Sequence, residues 1–551
     1  MPLEDDLEPQ PTLAPVDTES YGEGEEAQAG WIGTTGRILG PVTFLAILLG
    51  PTPEGLHPAG QRLLAVTIWM AIWWVTQAIP IAVTSLLPLV LFPLLGIQSA
   101  KTVSQSYFGD SSFLYLGGFV IALGIERWGL HKRIALLTVN ATGSSPRRIV
   151  LGFMLATFCL SMWISNTATT LLMLPIAIAL LTSLENLSDD EGSRKSGFSL
   201  KSCPHFSHLG MALMLGIAYA ASIGGLATIV GTPTNLAFID IWNKSFPDQP
   251  AISASQWMQT WTPFGLTFLI LAWWILVFRM KTPAGFERFD RDFFLKRLRE
   301  LGPMSLAEVV MLVLFVVTAM LWIFRTDFTF GDLVLVRGWG DAVAVWLEHL
   351  GVPKEKSAEF VSDSTVAMLI ASLMFVIPVA RTESKQTKYL MDWETTSRIP
   401  WGILLLFGGG FAIAGAFETT ALSKWVGVIF KTAVAGQPTW VLVGSVCSLL
   451  TFLTEFTSNV ATVNTVLPII AAASVALEVD PRLLMIPATI SASCGFMLPI
   501  GTPPNTIAFG TGRIKMSQMV AYGLILDLLG IVLAVIAVYV LMIPQLGIKV
   551  R

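Results

Sequence analysis

Apolar runs long enough to cross a bilayer recur along this chain, among them 61–78, 80–97, 306–324 and 519–543. Runs of that length leave the backbone few options. In hydrocarbon every N–H and C=O must find a partner inside the protein, so only helices and closed barrels survive there. Barrel strands would alternate in short segments, and these runs are continuous. The chain therefore reads as an all-α polytopic membrane protein. Composition agrees: 53% of the 551 residues are hydrophobic and 13% are charged, about half the charged share of a soluble domain.

Against that background, "SMWISNTATTLLMLPI" from Ser161 stands out, because Ser165, Asn166 and Thr167 place three hydrogen-bonding side chains together in an apolar region. "TEFTSNVATVNTVLPI" from Thr454 carries nearly the same text. A second pair of blocks precedes them. "LYLGGFVIALGIERWGLHK" from Leu114 and "LFGGGFAIAGAFETTALSK" from Leu406 agree at 9 of 19 positions at an offset of 292, while the two Ser-Asn motifs lie at an offset of 293. A third pair follows: "GTPTNLAF" from Gly231 and "GTPPNTIAF" from Gly501. Blocks repeated in one order at one distance mark two homologous halves. The extra length of the first half falls in the polar insert 184–208.

Each repeated motif has a physical reading. Gly and Pro interrupt a helix, Gly through its free torsions and Pro by lacking a donor. "GTPTN" and "GTPPN" thus read as interrupted transmembrane helices. The Ser-Asn motifs, with apolar arms on both sides and a proline in the second arm (Pro175, Pro468), read as tips of re-entrant hairpins. Two tips and two broken helices, duplicated, are ingredients of a midplane site in a secondary transporter. Half-helix N-termini suit an anion, and carbonyl, hydroxyl and amide oxygens suit a hard monovalent cation such as Na⁺. No Lys or Arg lies within the tip motifs or the Gly-Thr-Pro breaks, so an anionic substrate would depend on amides, hydroxyls, dipoles and co-bound cations. A lone Ser-Asn-Thr in a membrane helix is usually a local cap or an interhelical bond, and a lone Gly-Thr-Pro a turn. Duplication in register reverses that balance.

Other features are weaker. Glu126 and Glu418, near segment ends, read as interfacial or structural pairs, and Glu455 as a structural hydrogen-bond group or a proton carrier. The cysteines Cys159, Cys203, Cys447 and Cys494 form no close pair and read as packing residues. Cys203, His205 and His208 in one loop fall short of a zinc site. Residues 1–35 hold nine acidic residues with no Lys or Arg, the composition of a disordered tail and not of a targeting peptide. Basic residues gather in 131–148, 279–299 and 381–398, which places those connections in the cytoplasm, with 325–361 on the other side.

These motifs resemble the divalent anion–sodium symporter (DASS) family. The resemblance rests on "SNT" at Ser165, "SNV" at Ser458, "GTPTN", "GTPPN", "GLHKRIAL" near His131 and "TEFTSN" near Thr454, and covers about residue 36 to the end. It implies about eleven transmembrane helices plus two re-entrant hairpins in an inverted repeat, a homodimer in the lipid bilayer, and elevator motion of a transport domain against a scaffold. One sodium site would use Ser161, Ser165, Asn166 and the Gly231 carbonyl, and the other Thr454, Thr457, Asn459 and the Gly501 carbonyl. Substrate would meet Asn166, Thr167, Asn459 and the Thr232 and Thr502 regions, including Pro503. Val460 stands where many members have Thr, which bears on substrate choice.

The expected organisation is an acidic tail (1–35), scaffold helices (36–110), a first transport half (111–245), scaffold helices with cytoplasmic connections (246–400), a second transport half (401–517) and a C-terminal helix (518–551). The expected activity is sodium-coupled symport of C4-dicarboxylates such as succinate, malate or fumarate across a cell membrane. Alternatives are a sodium-independent dicarboxylate exchanger and a sodium-coupled sulfate or citrate carrier. An enzyme is disfavoured because no nucleophile, base or metal cluster converges near the tips. Occluding tips argue against a passive channel, and no nucleic-acid partner is expected.

Overall fold

The computed structural model describes residues 31–143, 145–188, 204–281, 293–330, 333–353, 360–381, 387–426, 428 and 436–548. The acidic residues 1–30, Cys203 and the side chains of His205 and Glu418 lie outside the described residues.

The chain opens with α1 (Trp31–Leu49), which starts within the stretch read as a tail, followed by α2 (Pro58–Thr76) and α3 (Leu87–Leu94). The first repeat comprises α4 (Asp110–Arg127), α5 (Leu130–Thr142), α6 (Pro146–Ser161), α7 (Asn166–Ser188), α8 (Pro204–Gly225) and α9 (Pro233–Ser245). Between the repeats lie α10 (Ala254–Val277), α11 (Phe293–Glu300), α12 (Leu306–Ile323), α13 (Trp339–His349) and α14 (Asp363–Val376). The second repeat comprises α15 (Trp401–Thr419), α16 (Thr439–Thr454), α17 (Asn459–Ala476), α18 (Arg482–Ser491) and α19 (Pro503–Gly510), and α20 (Met516–Ala537) follows. Two short antiparallel pairs, β1 (Phe328–Phe330) with β2 (Leu333–Val336) and β3 (Pro378–Arg381) with β4 (Thr387–Tyr389), decorate an otherwise helical fold.

By length and composition five helices among the described residues can cross a membrane, or six if α4 and α5, bent by 71°, count as one span. Shorter apolar helices of 10–17 residues accompany them. Short pieces fit hydrocarbon depth only where neighbouring protein satisfies their free ends. The breaks here are buried accordingly: Leu226, Ala227, Asn235, Cys494 and Asn505 have at most 2% of their surface exposed.

Packing is of two kinds, and α15 takes part in both, since Lys244 of α9 lies over its Phe411 ring at 4.2 Å. The first helix of each repeat lies against helices outside the repeats. A Cβ on Gly117 of α4 would come within 2.7 Å of Ala367 in α14, and one on Gly409 of α15 within 2.6 Å of the Ser85 carbonyl. The hairpins and broken helices instead pack on each other and on α10 and α20. Trp257 of α10 donates to Leu226 O (3.0 Å), Phe268 meets Phe496 edge-on (5.7 Å), and a Cβ on Gly523 would sit 2.3 Å from Phe496 O. So α10, which the sequence reading groups with the scaffold, belongs by contact to the body around the breaks.

The three basic connections meet at one end of the molecule. Arg127 pairs with Asp392, Trp128 donates to Leu390 O (2.7 Å), Arg133 pairs with Glu308 (3.1 Å), and Arg147 donates to Met280 O (2.7 Å). The opposite end of α4 carries Asp110, which accepts from Ser362 (3.0 Å) on the far side of the molecule. Among the described residues the three basic connections thus share one face, the pattern of a cytoplasmic face.

Candidate functional site

Four helices start at one cavity. α7 begins at Asn166, α9 at Pro233, α17 at Asn459 and α19 at Pro503. The cavity encloses about 580 Å³, and its wall includes Ser165, Asn166, Thr167, Gly231, Thr232, Pro233, Ser458, Asn459, Val460, Gly501, Thr502 and Pro503. Four sets of free N–H groups and four positive dipole ends therefore face one space. Proline opens α9 and α19, where its missing donor costs nothing and its fixed φ suits a first turn. The residues ahead of the two prolines match: Thr232 has φ −140° and ψ 143°, and Thr502 has φ −143° and ψ 146°. The repeat seen in sequence is thus a repeat in backbone conformation.

The hydrogen bonds behind the wall repeat as well. Ser161 Oγ lies 2.7 Å from Asn166 Oδ1 and 2.7 Å from Ala221 O. Thr454 Oγ1 lies 2.6 Å from Asn459 Oδ1 and 2.8 Å from Ala492 O. One hydroxyl proton faces two acceptors in each case. The cluster therefore holds more oxygen than its proton can serve, which is the donor set a desolvated Na⁺ would complete. Asn235 and Asn505 close the breaks: Asn235 Nδ2 donates to Gly225 O (3.0 Å) and Thr228 O (2.8 Å), and Asn505 Nδ2 to Gly495 O and Leu498 O (both 3.1 Å). Thr234 and Ser493 hydroxyls, 2.6 Å apart, tie the two breaks together.

Gly231 and Gly501 are needed for a reason other than the free torsions expected of them, since neither has a positive φ. A Cβ on Gly231 would lie 2.6 Å from Gly225 O, and one on Gly501 3.1 Å from Glu455 Oε2. Close approach of chain segments is the constraint.

The halves differ at one point. Met162 and Glu455 occupy the same repeat position at an offset of 293. In the first half Thr228 Oγ1 donates to Met162 O (2.5 Å) and accepts from Gly231 N (3.0 Å). In the second half the Glu455 carboxylate accepts from Met497 N (2.8 Å) and Leu498 N (2.9 Å). A hydroxyl fastens one break and a carboxylate the other. Glu455 thus has a hydrogen-bonding role, as one of its two sequence readings held. Asp527 of α20 lies in the same cluster, with Oδ1 accepting from Phe496 N (3.1 Å).

Among the residues singled out from sequence, Ser165, Asn166, Thr167, Gly231, Thr232, Asn459, Val460, Gly501, Thr502 and Pro503 line the cavity. Ser161 and Thr454 stand one layer behind the asparagines. Thr457 is different: it is buried, donates to Leu453 O (3.0 Å) and lies 2.5 Å from Thr462 Oγ1, while its neighbour Ser458, the repeat mate of Ser165, reaches the wall. The sequence reading placed Ser458 at the second tip but gave the ligand role to Thr457, although the repeat register pointed to Ser458. It also missed the Ala221 and Ala492 carbonyls, which carry no side-chain signal, and the buried Asp240–Lys244 pair (2.9 Å) on α9. Glu126, read from sequence as an interfacial or structural pair, lines the cavity, as does Arg398. The tip motifs lack Lys and Arg, but the cavity does not.

A duplicated cavity where four helices start, within a polytopic helical fold, is the architecture of a secondary transporter. Residues 34–545 match the family described as the sodium:sulfate symporter transmembrane region, and the chain belongs to that family. It is 40% identical over 520 residues to the sodium-dependent dicarboxylate transporter SdcS of Staphylococcus saprophyticus, covering 94% of this chain and 92% of that protein. It is 38% identical over 517 residues to SdcS of Staphylococcus aureus strain bovine RF122, with the same shares. Its fold resembles that of MtrF of Neisseria gonorrhoeae, described as an antimetabolite efflux pump, with a TM-score of 0.52 at 14% identity over 96% of this chain and 98% of that one.

Proposed function

We infer that this protein is a sodium-coupled symporter of C4-dicarboxylates in the cell membrane, and that the cavity between the four helix starts is its transport site. Membership of a sodium symporter family and 40% identity to a sodium-dependent dicarboxylate transporter support the activity. The convergence of four helix N-termini on one cavity is the observation that carries the site.

In this reading one Na⁺ is held by Ser161, Ser165, Asn166 and the Gly231 carbonyl, and another by Thr454, Thr457, Asn459 and the Gly501 carbonyl. Thr457 contributes only by turning from its present partners. Dicarboxylate carboxylates meet the N-termini at Asn166, Thr167, Thr232, Asn459 and Thr502, beside Val460 and Pro503. Asn166 and Asn459 touch both sodium and substrate, so each ligand organises the other's site. The elevator motion would carry the hairpins, breaks, α10 and α20 past a dimeric scaffold. The aromatic contact of Trp163 at the first tip with Trp322 (6.2 Å, stacked) and Phe315 (5.2 Å) of α12 would slide in that step.

The family's description names sulfate, and a compact dianion is the competing substrate. A cavity of about 580 Å³ favours the larger dicarboxylate, since it falls within the roughly 300–1,000 Å³ of small-molecule sites. The test is uptake of labelled succinate into proteoliposomes with and without an inward sodium gradient, beside Asn166→Ala and Asn459→Ala. Sodium-driven accumulation abolished by both substitutions is expected. Uptake that ignores sodium but needs internal dicarboxylate would replace symport by exchange, and transport of sulfate without succinate would replace the substrate.

A further inference from the structure

Of the described residues lining the cavity, Glu126 and Arg398 alone are charged, and they sit together at one end of it. Leu114, Gly118, Ala122 and Glu126 of α4 all line the wall at four-residue spacing, so the cavity follows α4 for about 18 Å at 1.5 Å per residue. Glu126 marks the end next to the basic connections, because Arg127 and Trp128 are tied to Asp392 and Leu390. Arg398 belongs to that connection and precedes α15, which is the repeat mate of α4. The end of one repeat helix thus meets the start of the other.

The two charges act on each other, yet no closed ion pair joins them among the described residues. Arg398 is exposed, and its guanidinium makes no hydrogen bond there, so its five donors remain open to a carboxylate. An arginine held near a glutamate but not against it offers a dianion a charge that it can gain and lose quickly.

We propose that Arg398 and Glu126 form the cytoplasmic mouth of the transport site: Arg398 is the positive charge on the cavity wall that a dicarboxylate meets from that side, and Glu126 limits how firmly it is held there. This rests on the transport site proposed above, and on the basic connections being cytoplasmic. Release into the cytoplasm is the productive step of an uptake carrier. A mouth with Arg398 alone would retain the product, while one with Glu126 alone would repel a returning dianion.

The experiment compares the Km for labelled succinate at the two faces, using right-side-out and inside-out membrane vesicles with equal sodium on both sides. Arg398→Gln is expected to raise the cytoplasmic-face Km about tenfold relative to the outer-face Km at low ionic strength, with the difference shrinking as salt screens it. Glu126→Gln is expected to shift that ratio the other way, and Arg398→Lys to keep most of the native value. An equal change at both faces, a change insensitive to salt, or none at all would overturn the proposal. Wild-type vesicles lacking sodium-dependent succinate uptake at either face would overturn the functional reading itself, which separates the two failures.

Discussion

Glu455→Gln is the most informative single change at the second half-site. The carboxylate accepts two backbone N–H groups, from Met497 at 2.8 Å and Leu498 at 2.9 Å, and is fully buried. Hydrogen bonds to a charged acceptor contribute roughly 1.5–3 kcal/mol each. Glutamine keeps one acceptor and turns an NH₂ group toward the other amide, so one bond is lost and a buried donor faces a donor. A cost of about 2 kcal/mol is the lower bound. The loop it fastens leads directly to Gly501, whose carbonyl is a proposed sodium ligand. If sodium has to re-order that loop, about 2 kcal/mol becomes a rise of roughly 30-fold in the sodium concentration for half-maximal succinate uptake. At saturating sodium the succinate Km should move far less. Thr228→Val is the matched control in the first half. It removes two neutral bonds of about 0.5 kcal/mol each, the low end for neutral pairs, so its shift should be about fivefold. Sodium titrations of uptake in proteoliposomes decide the matter. Equal shifts in the two variants, or an unaltered sodium dependence in Glu455→Gln, would refute the reasoning.

The remaining predictions concern other parts of the site. Val460→Thr restores a hydroxyl at the cavity wall and should lower the succinate Km about three- to tenfold, the range of one added neutral hydrogen bond; an unchanged Km would place Val460 out of substrate contact. Gly231→Ala brings a Cβ to 2.6 Å from Gly225 O and should cut sodium-driven uptake more than about tenfold while the protein still purifies as one species by gel filtration. Lys244→Ala removes the ammonium 2.9 Å from the buried Asp240 carboxylate and should cost about 1–2 kcal/mol, read as a lowered thermal midpoint in detergent. Asp392, at the cytoplasmic connection, has burial working against its charge, but the Thr395 amide and Arg127 outweigh it and hold its carboxyl below the usual range. A depressed folded-state value gives stability that is present above the unfolded value of about 4 and lost as pH falls through the folded one. Asp392→Asn should remove that acid-sensitive part of the melting profile, a small part because the side chain is 47% exposed.

Much of the site was legible because its chemistry is unusual for its surroundings. Ser165, Asn166, Ser458 and Asn459 are expensive in hydrocarbon, so their presence and register announced a shared task, and the cavity collects all four. The Gly-Thr-Pro breaks were legible because proline and glycine act locally. What escaped was set by tertiary contact. The Ala221 and Ala492 carbonyls belong to alanines that look like any others, and only the fold brings them to Ser161 and Thr454. Arg398 lies at the edge of an apolar segment, where arginines are common, and its place in the cavity depends on α15 starting beside the end of α4. The grouping of α10 escaped for a similar reason, since hydropathy tells that a helix spans but not what it spans beside.

The unequal fastening of the two breaks shows what duplication left free to change. Backbone conformation at Thr232 and Thr502 agrees within a few degrees, and the asparagines that close the breaks make matching bonds. Those features set the shape of the anion site, where both halves must present the same dipoles to one substrate. The fastening residue lies behind that surface, and there the first half uses the neutral Thr228 and the second the acidic Glu455. A carboxylate one residue from Thr454 lowers the electrostatic potential around the second oxygen cluster, and no acid stands at the corresponding Met162. If the two oxygen clusters hold sodium as proposed above, the second would attract a cation in the absence of substrate more strongly than the first.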